Sequence, residues 1–222
     1  MSTRERRSRR PQHADDDLLG AAAAVFAREG FAAATVDRIA AEAGTTKPTL
    51  YARFGSKADL YDAVVRHEAE AIRSHLFDAY GRAAHLSVDD FTREAVHAWF
   101  TFAVQRPNAM KLLFVGDHVG THSPVPAEIT QTITTRVAEA VEDYALRANA
   151  AAGPAAEVLA AMIVGTVVHA VRRCFADPSL DPVKVADLAT AFLTNAFRGL
   201  DAALLAVEQD RPLQGRTPRA AR

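Results

Sequence analysis

Thr46, Lys47, Thr49, Tyr51 and Arg53 fall close together and carry hydroxyls, a phenol and two cations, with no carboxylate among them. Groups of these types on one helical face suit phosphate oxygens and the base edges of a major groove. Lys57 follows Ser56, which can cap a helix, so an ammonium lies beside free first-turn amides, a favourable place for a phosphate. Thr35 and Thr45, on either side of the preceding helix, complete the candidate contacts to nucleic acid.

The elements that must position these residues are short. Thr35 is a good N-cap, and Val36, Ile39, Ala40 and Ala43 recur at helical spacing. Gly44 stands where a left-handed residue would end that helix. Thr46 caps the next, with Pro48 in its first turn, where a missing N–H costs nothing. Leu50 and Phe54 face inward, and small Ala40 lets the two helices cross closely. Together they form a helix-turn-helix. An ordinary helical corner with a solvated basic face has the same pattern.

Other chemistry is sparse. There is no glycine-rich phosphate loop, no H-E-x-x-H and no cysteine pair. Cys174 has no base in its local sequence, which argues against a nucleophile. His118 and His122 have a metal-like spacing, but two ligands on a glycine-containing loop make a weak site, and no metal or cofactor is expected. His67 and His75, near Glu68 and Glu70, read as a wet helix face.

The stretch from Thr35 to Tyr61 resembles the DNA-binding signature of the TetR family of bacterial transcriptional regulators. The similarity is carried by Thr35-Val36, Ile39-Ala40, Ala43-Gly44, Lys47, Thr49-Leu50-Tyr51, Phe54, Ser56-Lys57 and Leu60-Tyr61, and upstream by Ala24, Phe26, Gly30 and Phe31. Pro48 and Ala52-Arg53 depart from the usual pattern, so the bases read do not follow from it. The resemblance implies a regulator that acts as a homodimer through its last two long helices on a double-stranded DNA operator, most often as a repressor. It also implies a small-molecule effector site in the middle helices. Candidates for that site are His97, Trp99, Phe102, Phe114, His118, Met162, His169 and Arg172; the same aromatics at helical spacing also make plain core.

Along the chain, residues 1–13 hold five Arg and read as a disordered basic arm that can add phosphate or minor-groove contacts. Asp15, Asp16 and Asp17 read as the capped start of the first helix. Residues 14–60 form the helix-turn-helix domain. Residues 61–208 are, by the resemblance, expected to form the effector-binding and dimerisation domain. Residues 209–222 form a disordered tail. Helices are expected from Ser56 to about Tyr80, Asp89 to Arg106, Pro107 to about Val115, Ala127 to Ala148, Ala155 to Phe175 and Val183 to about Val207. The apolar faces of the last two are wider than one core needs.

The 222 residues are 49% hydrophobic and 24% charged, with a net charge of −1. The helical spacings and the resemblance together imply an all-α fold class: an N-terminal three-helix DNA-binding unit followed by a larger helical domain. The near-neutral balance makes nucleic-acid affinity a property of one local patch and argues against a sequence-independent architectural binder. The alternative of a helical enzyme finds no convergent acid–base set. The lone Cys174, the absence of an apolar segment after the N-terminal Arg pairs, and an apolar run (158–171) too short to span a bilayer suit a cytoplasmic protein without a membrane partner.

Overall fold

The computed structural model describes residues 5–116, 122–147, 152–200 and 205, with side chains from Asp15 onward. Among them are nine α-helices and no strand. They are α1 (Glu5–Ala33), α2 (Val36–Glu42), α3 (Lys47–Phe54), α4 (Lys57–Ala83), α5 (Val88–Gln105), α6 (Pro107–Met110), α7 (Val125–Arg147), α8 (Pro154–Ala176) and α9 (Pro182–Arg198). The all-α reading holds, and the expected caps form. Thr35 Oγ1 accepts from Arg38 N, Thr46 Oγ1 from Thr49 N and Ser56 Oγ from Asp59 N. Gly44 takes φ +61, a conformation that an L side chain resists, and it turns the chain from α2 into α3.

Helices α1–α3 close a small core on the start of α4. Phe26 meets Tyr61 edge-on at 5.0 Å, and Phe31 meets Tyr61 at 5.2 Å. Ile39, Leu50 and Leu60 are buried beside them. Helix α4 then continues without a break into the second core, where Ile72, Leu76 and Tyr80 are buried against α5 and α7. α8 lies between α7 and α9, and α9 returns along α5. With 23 residues and a mean hydropathy of 1.7 in its most apolar window, α8 is long and apolar enough to cross a membrane by those measures, unlike the shorter run read from sequence. Its apolar surface is partly used against its neighbours in the bundle.

Several boundaries differ from expectation. α1 starts at Glu5, inside the stretch read as a disordered arm, because Arg, Glu and Gln are good helix formers. Asp15–Asp17 therefore lie within a helix instead of capping its start. Asp15 pairs with Arg53, and Asp16 lies 4.0 Å from His67. The segment expected as one helix to Val115 ends in a π-helical turn, Lys111–Val115. Gly116 N donates to Lys111 O at 2.8 Å, and a Cβ on Gly116 would meet that same oxygen at 2.8 Å, so glycine is required there. α9 stops at Arg198, where Gly199 caps it, short of the expected end near Val207. The tail 209–222 lies outside the described residues.

Glu68 is the buried charge of the second core. Arg106 Nη2 donates to its Oε1 at 3.2 Å and lies 3.1 Å from Oε2. Burial still pushes the Glu68 carboxyl above its ordinary value of 4.5. A carboxyl raised in the folded state stabilises the fold below its unfolded value, and that contribution is lost as pH rises through the folded value. The thermal midpoint of the parent relative to Glu68→Gln should therefore fall as pH rises above about 4.5. A difference that stays flat across this range contradicts the burial argument.

Candidate nucleic-acid interface and effector cavity

The outer face of α3 is built as the capping pattern requires. Leu50 is buried under the helix, while Lys47, Thr49, Tyr51 and Arg53 are exposed. Tyr51 is 42% exposed, the only large hydrophobic side chain so exposed in the α1–α3 unit. The hydroxyls of Thr46 and Thr49 lie 2.8 Å apart. Thr45 is partly covered beside the turn. Thr35 is exposed, with its hydroxyl engaged in capping α2.

The cations are less free than the sequence suggests. Lys47 Nζ donates to Asp37 Oδ2 at 2.9 Å, and that carboxylate raises the ammonium above its ordinary value. Arg53 is paired with Asp15. The acids come from α1 and α2, so counting carboxylates along α3 alone could not find them.

Lys57 was expected at a phosphate and is instead committed inside the protein. Its Nζ donates to Phe31 O at 2.8 Å and Ala34 O at 3.1 Å, and lies 4.5 Å from the centroid of the Phe31 ring. The carbonyls at the end of α1 have no helical partners, and an ammonium satisfies them. Position at the start of α4 suggested an anion site; proximity to the end of α1, visible only in three dimensions, decides the contact.

The effector region contains a cavity of about 400 Å³ between α5, α7, α8 and α9, closed at one side by Tyr80 of α4. Its walls are mostly aliphatic, among them Val96, Val137, Val141, Ile163 and Val167, and its charged lining residues are Asp89 and Arg198. Trp99 Nε1 donates to Tyr80 Oη at 3.1 Å, and burial pushes the Tyr80 phenol up to about 12. Tyr144 Oη donates to Leu86 O at 3.0 Å.

Of the effector candidates, Trp99 lines this cavity. Phe102 packs against His75, and Phe114 stands edge-on to Trp99 at 5.3 Å, both as core. His97 bridges to Asp187 of α9 at 3.1 Å. Met162 is 62% exposed on α8. His169 and Arg172 line a different, open groove with Lys111 and Arg173. His118 lies outside the described residues. Helical period places these residues on the right helices, but a change of one or two positions turns a side chain away from the cavity. The aliphatic walls carry no distinguishing sequence signal.

His122 packs tilted against the Phe31 ring at 4.3 Å, and Ser123 Oγ donates to Asp62 Oδ1 at 2.6 Å, holding that carboxyl below its ordinary range. The start of α7 is thereby tied to the α1–α4 junction.

A family model described as bacterial regulatory proteins, tetR family, matches residues 18–64. The chain is 32% identical over 157 residues to the HTH-type transcriptional activator FasR of Mycolicibacterium smegmatis, covering 70% of this chain and 69% of that protein. The fold is similar to a TetR-like regulator from Rhodococcus sp. RHA1, with TM-score 0.68, 22% identity and coverage of 84% and 97% of the two chains. It is also similar to FadR from Bacillus subtilis, solved in complex with stearoyl-CoA, with TM-score 0.67, 16% identity and coverage of 80% and 96%.

Lys57→Met should lower the unfolding free energy by about 2 kcal/mol, because it leaves the carbonyls at the end of α1 without their charged donor. Chemical denaturation checks this; an unchanged midpoint would return Lys57 to the list of free cations.

Proposed function

The chain belongs to the TetR family of bacterial regulatory proteins, and from that premise we propose that it is a ligand-responsive, sequence-specific transcriptional regulator acting as a homodimer in the cytoplasm. The observation that carries this reading is one continuous helix, α4, shared by the helix-turn-helix core and by the wall of an apolar cavity.

In this reading α3 enters a major groove, with Tyr51, Thr49 and Thr45 at base edges or phosphates, and Lys47 and Arg53 exchanging their carboxylates for phosphate. Val158 and Met162 of α8 and Leu188 and Phe192 of α9 are between 46% and 70% exposed. Such a contiguous pair of apolar faces calls for a covering partner, and a second copy supplies it. Gly165, with open space around it, permits close approach there. A two-fold dimer reads half-sites about one helical turn, ~34 Å, apart or a multiple of it, on a near-palindromic operator.

The effector is a small molecule whose apolar part fills the cavity of about 400 Å³. The stearoyl-CoA of the Bacillus relative supports a long aliphatic chain. Filling the cavity shifts α4 between two positions of the reading heads, provided the ligand binds the two states unequally. Repression is the commoner outcome of such binding and is the sense we assign; the Mycolicibacterium relative is named an activator. The location of the operator decides between them, since a site overlapping the promoter blocks polymerase and one upstream recruits it.

Selection of bound duplexes from a random pool, at a stated salt concentration, tests the reading directly. One near-palindromic sequence is expected to be enriched. Enrichment of none, with and without added acyl-chain ligands, rejects it. Tyr51→Ala should lose about 1–3 kcal/mol of discrimination at a base step within each half-site. Phe192→Asp should yield a folded monomer by sedimentation that no longer prefers the full palindrome over a half-site; a persistent dimer removes α9 from the interface.

A further inference from the structure

Resting on the reading of the cavity as the effector site, we propose that the effector carries an anionic head group and that Arg198 binds it, with Asp89 occupying the guanidinium until the ligand arrives. The cavity wall has few polar groups, and most are already partnered. Tyr80 and Trp99 bond each other, and Tyr144 is bonded to Leu86 O. Among the lining residues, charge is found only at the Asp89–Arg198 pair, which joins the first turn of α5 to the last turn of α9. A purely apolar ligand makes no use of that pair.

The pair is easy to open, because its side chains are 64% and 42% exposed and exposed ion pairs contribute little. Donor count favours an anion over a cation as the incoming group. The guanidinium has five N–H donors in a fixed fork, and Asp89 engages one nitrogen, Nη2, so a carboxylate or phosphate can be held bidentate. Among the described residues, Asp90 is occupied by the Ser87 hydroxyl at 2.7 Å, and Glu142 by the amides of Ala152 and Gly153 at 3.1 and 2.9 Å. Asp89, released, keeps a favourable place in the first turn of α5. Arg198 thus selects the head group while the aliphatic walls select the chain. A free fatty acid and a phosphate-bearing fatty acyl thioester share this chemistry.

The single tryptophan lines the cavity, so Trp99 emission reports occupancy. The full-length protein is titrated below micelle concentrations with palmitate, palmitoyl-CoA, hexadecanol and hexadecylamine. Palmitate or palmitoyl-CoA should bind about five- to tenfold more tightly than hexadecanol, and which of the two binds more tightly identifies the source of the anion. Arg198→Gln should erase that preference while leaving hexadecanol affinity unchanged, which also shows that the variant is folded. Asp89→Asn should tighten palmitate. Equal affinities for palmitate and hexadecanol, unaltered in Arg198→Gln, overturn the anchor and leave the cavity reading standing. Tightest binding of hexadecylamine, lost in Asp89→Asn, assigns a cationic head instead and also overturns it. No response to any chain compound overturns the cavity reading and the anchor together.

Discussion

Helix α4 must satisfy two cores with one unbroken backbone. Its first turns carry Leu60 and Tyr61 into the core of α1–α3, and its later turns carry Ile72, Leu76 and Tyr80 into the bundle of α5 and α7. Because both ends are buried in a core, a rotation of α4 at one end is felt at the other. Lys57 fastens the head to the first turn of α4 through the carbonyls at the end of α1. Ser123 and His122 fasten the start of α7 to the same junction. The distant end of α7 supplies Val137, Val141 and Tyr144 to the cavity. Two neighbouring helices therefore run from the cavity to the head, each held near its head end by a specific polar or aromatic contact.

Much of the fold was legible because it is written in local chemistry. Thr35, Thr46 and Ser56 are caps whose partners lie three residues away, Gly44 turns where an L residue cannot, and the prolines mark first turns. What was not legible depended on residues distant in sequence. Asp37 meets Lys47 and Asp15 meets Arg53 across separate helices, and Lys57 reaches carbonyls more than twenty positions away. Of the effector candidates, Trp99 lines the cavity, Met162 is exposed on α8, His169 lines another groove and His97 meets Asp187. The cavity wall is mostly Val, Ile, Ala and Leu, joined by Tyr80, Phe91, Trp99, Tyr144 and Phe197, and only the fold shows which of the chain's many residues of these types face it.

The composition of that cavity bears on how ligands are told apart. Aliphatic walls distinguish chains by length and shape, at a modest gain per added methylene. They cannot reject one apolar molecule of suitable size in favour of another. Any sharper choice has to come from the rim, where the Asp89–Arg198 pair joins the ends of two helices. The interior hydroxyls of Tyr80 and Tyr144, bonded within the protein, serve rigidity more than recognition.

The pairing of Lys47 with Asp37 and of Arg53 with Asp15 has a consequence for a protein that must find one site in a chromosome. Hold on arbitrary duplex comes from cations meeting phosphates, and for Lys47 and Arg53 each such meeting displaces a carboxylate already in place. With a net charge of −1, little long-range attraction compensates. In the proposed reading, α3 by itself then adds little hold on irrelevant sequence. Selection of a site, in that reading, rests on base contacts and on the doubling of contacts in a two-headed assembly.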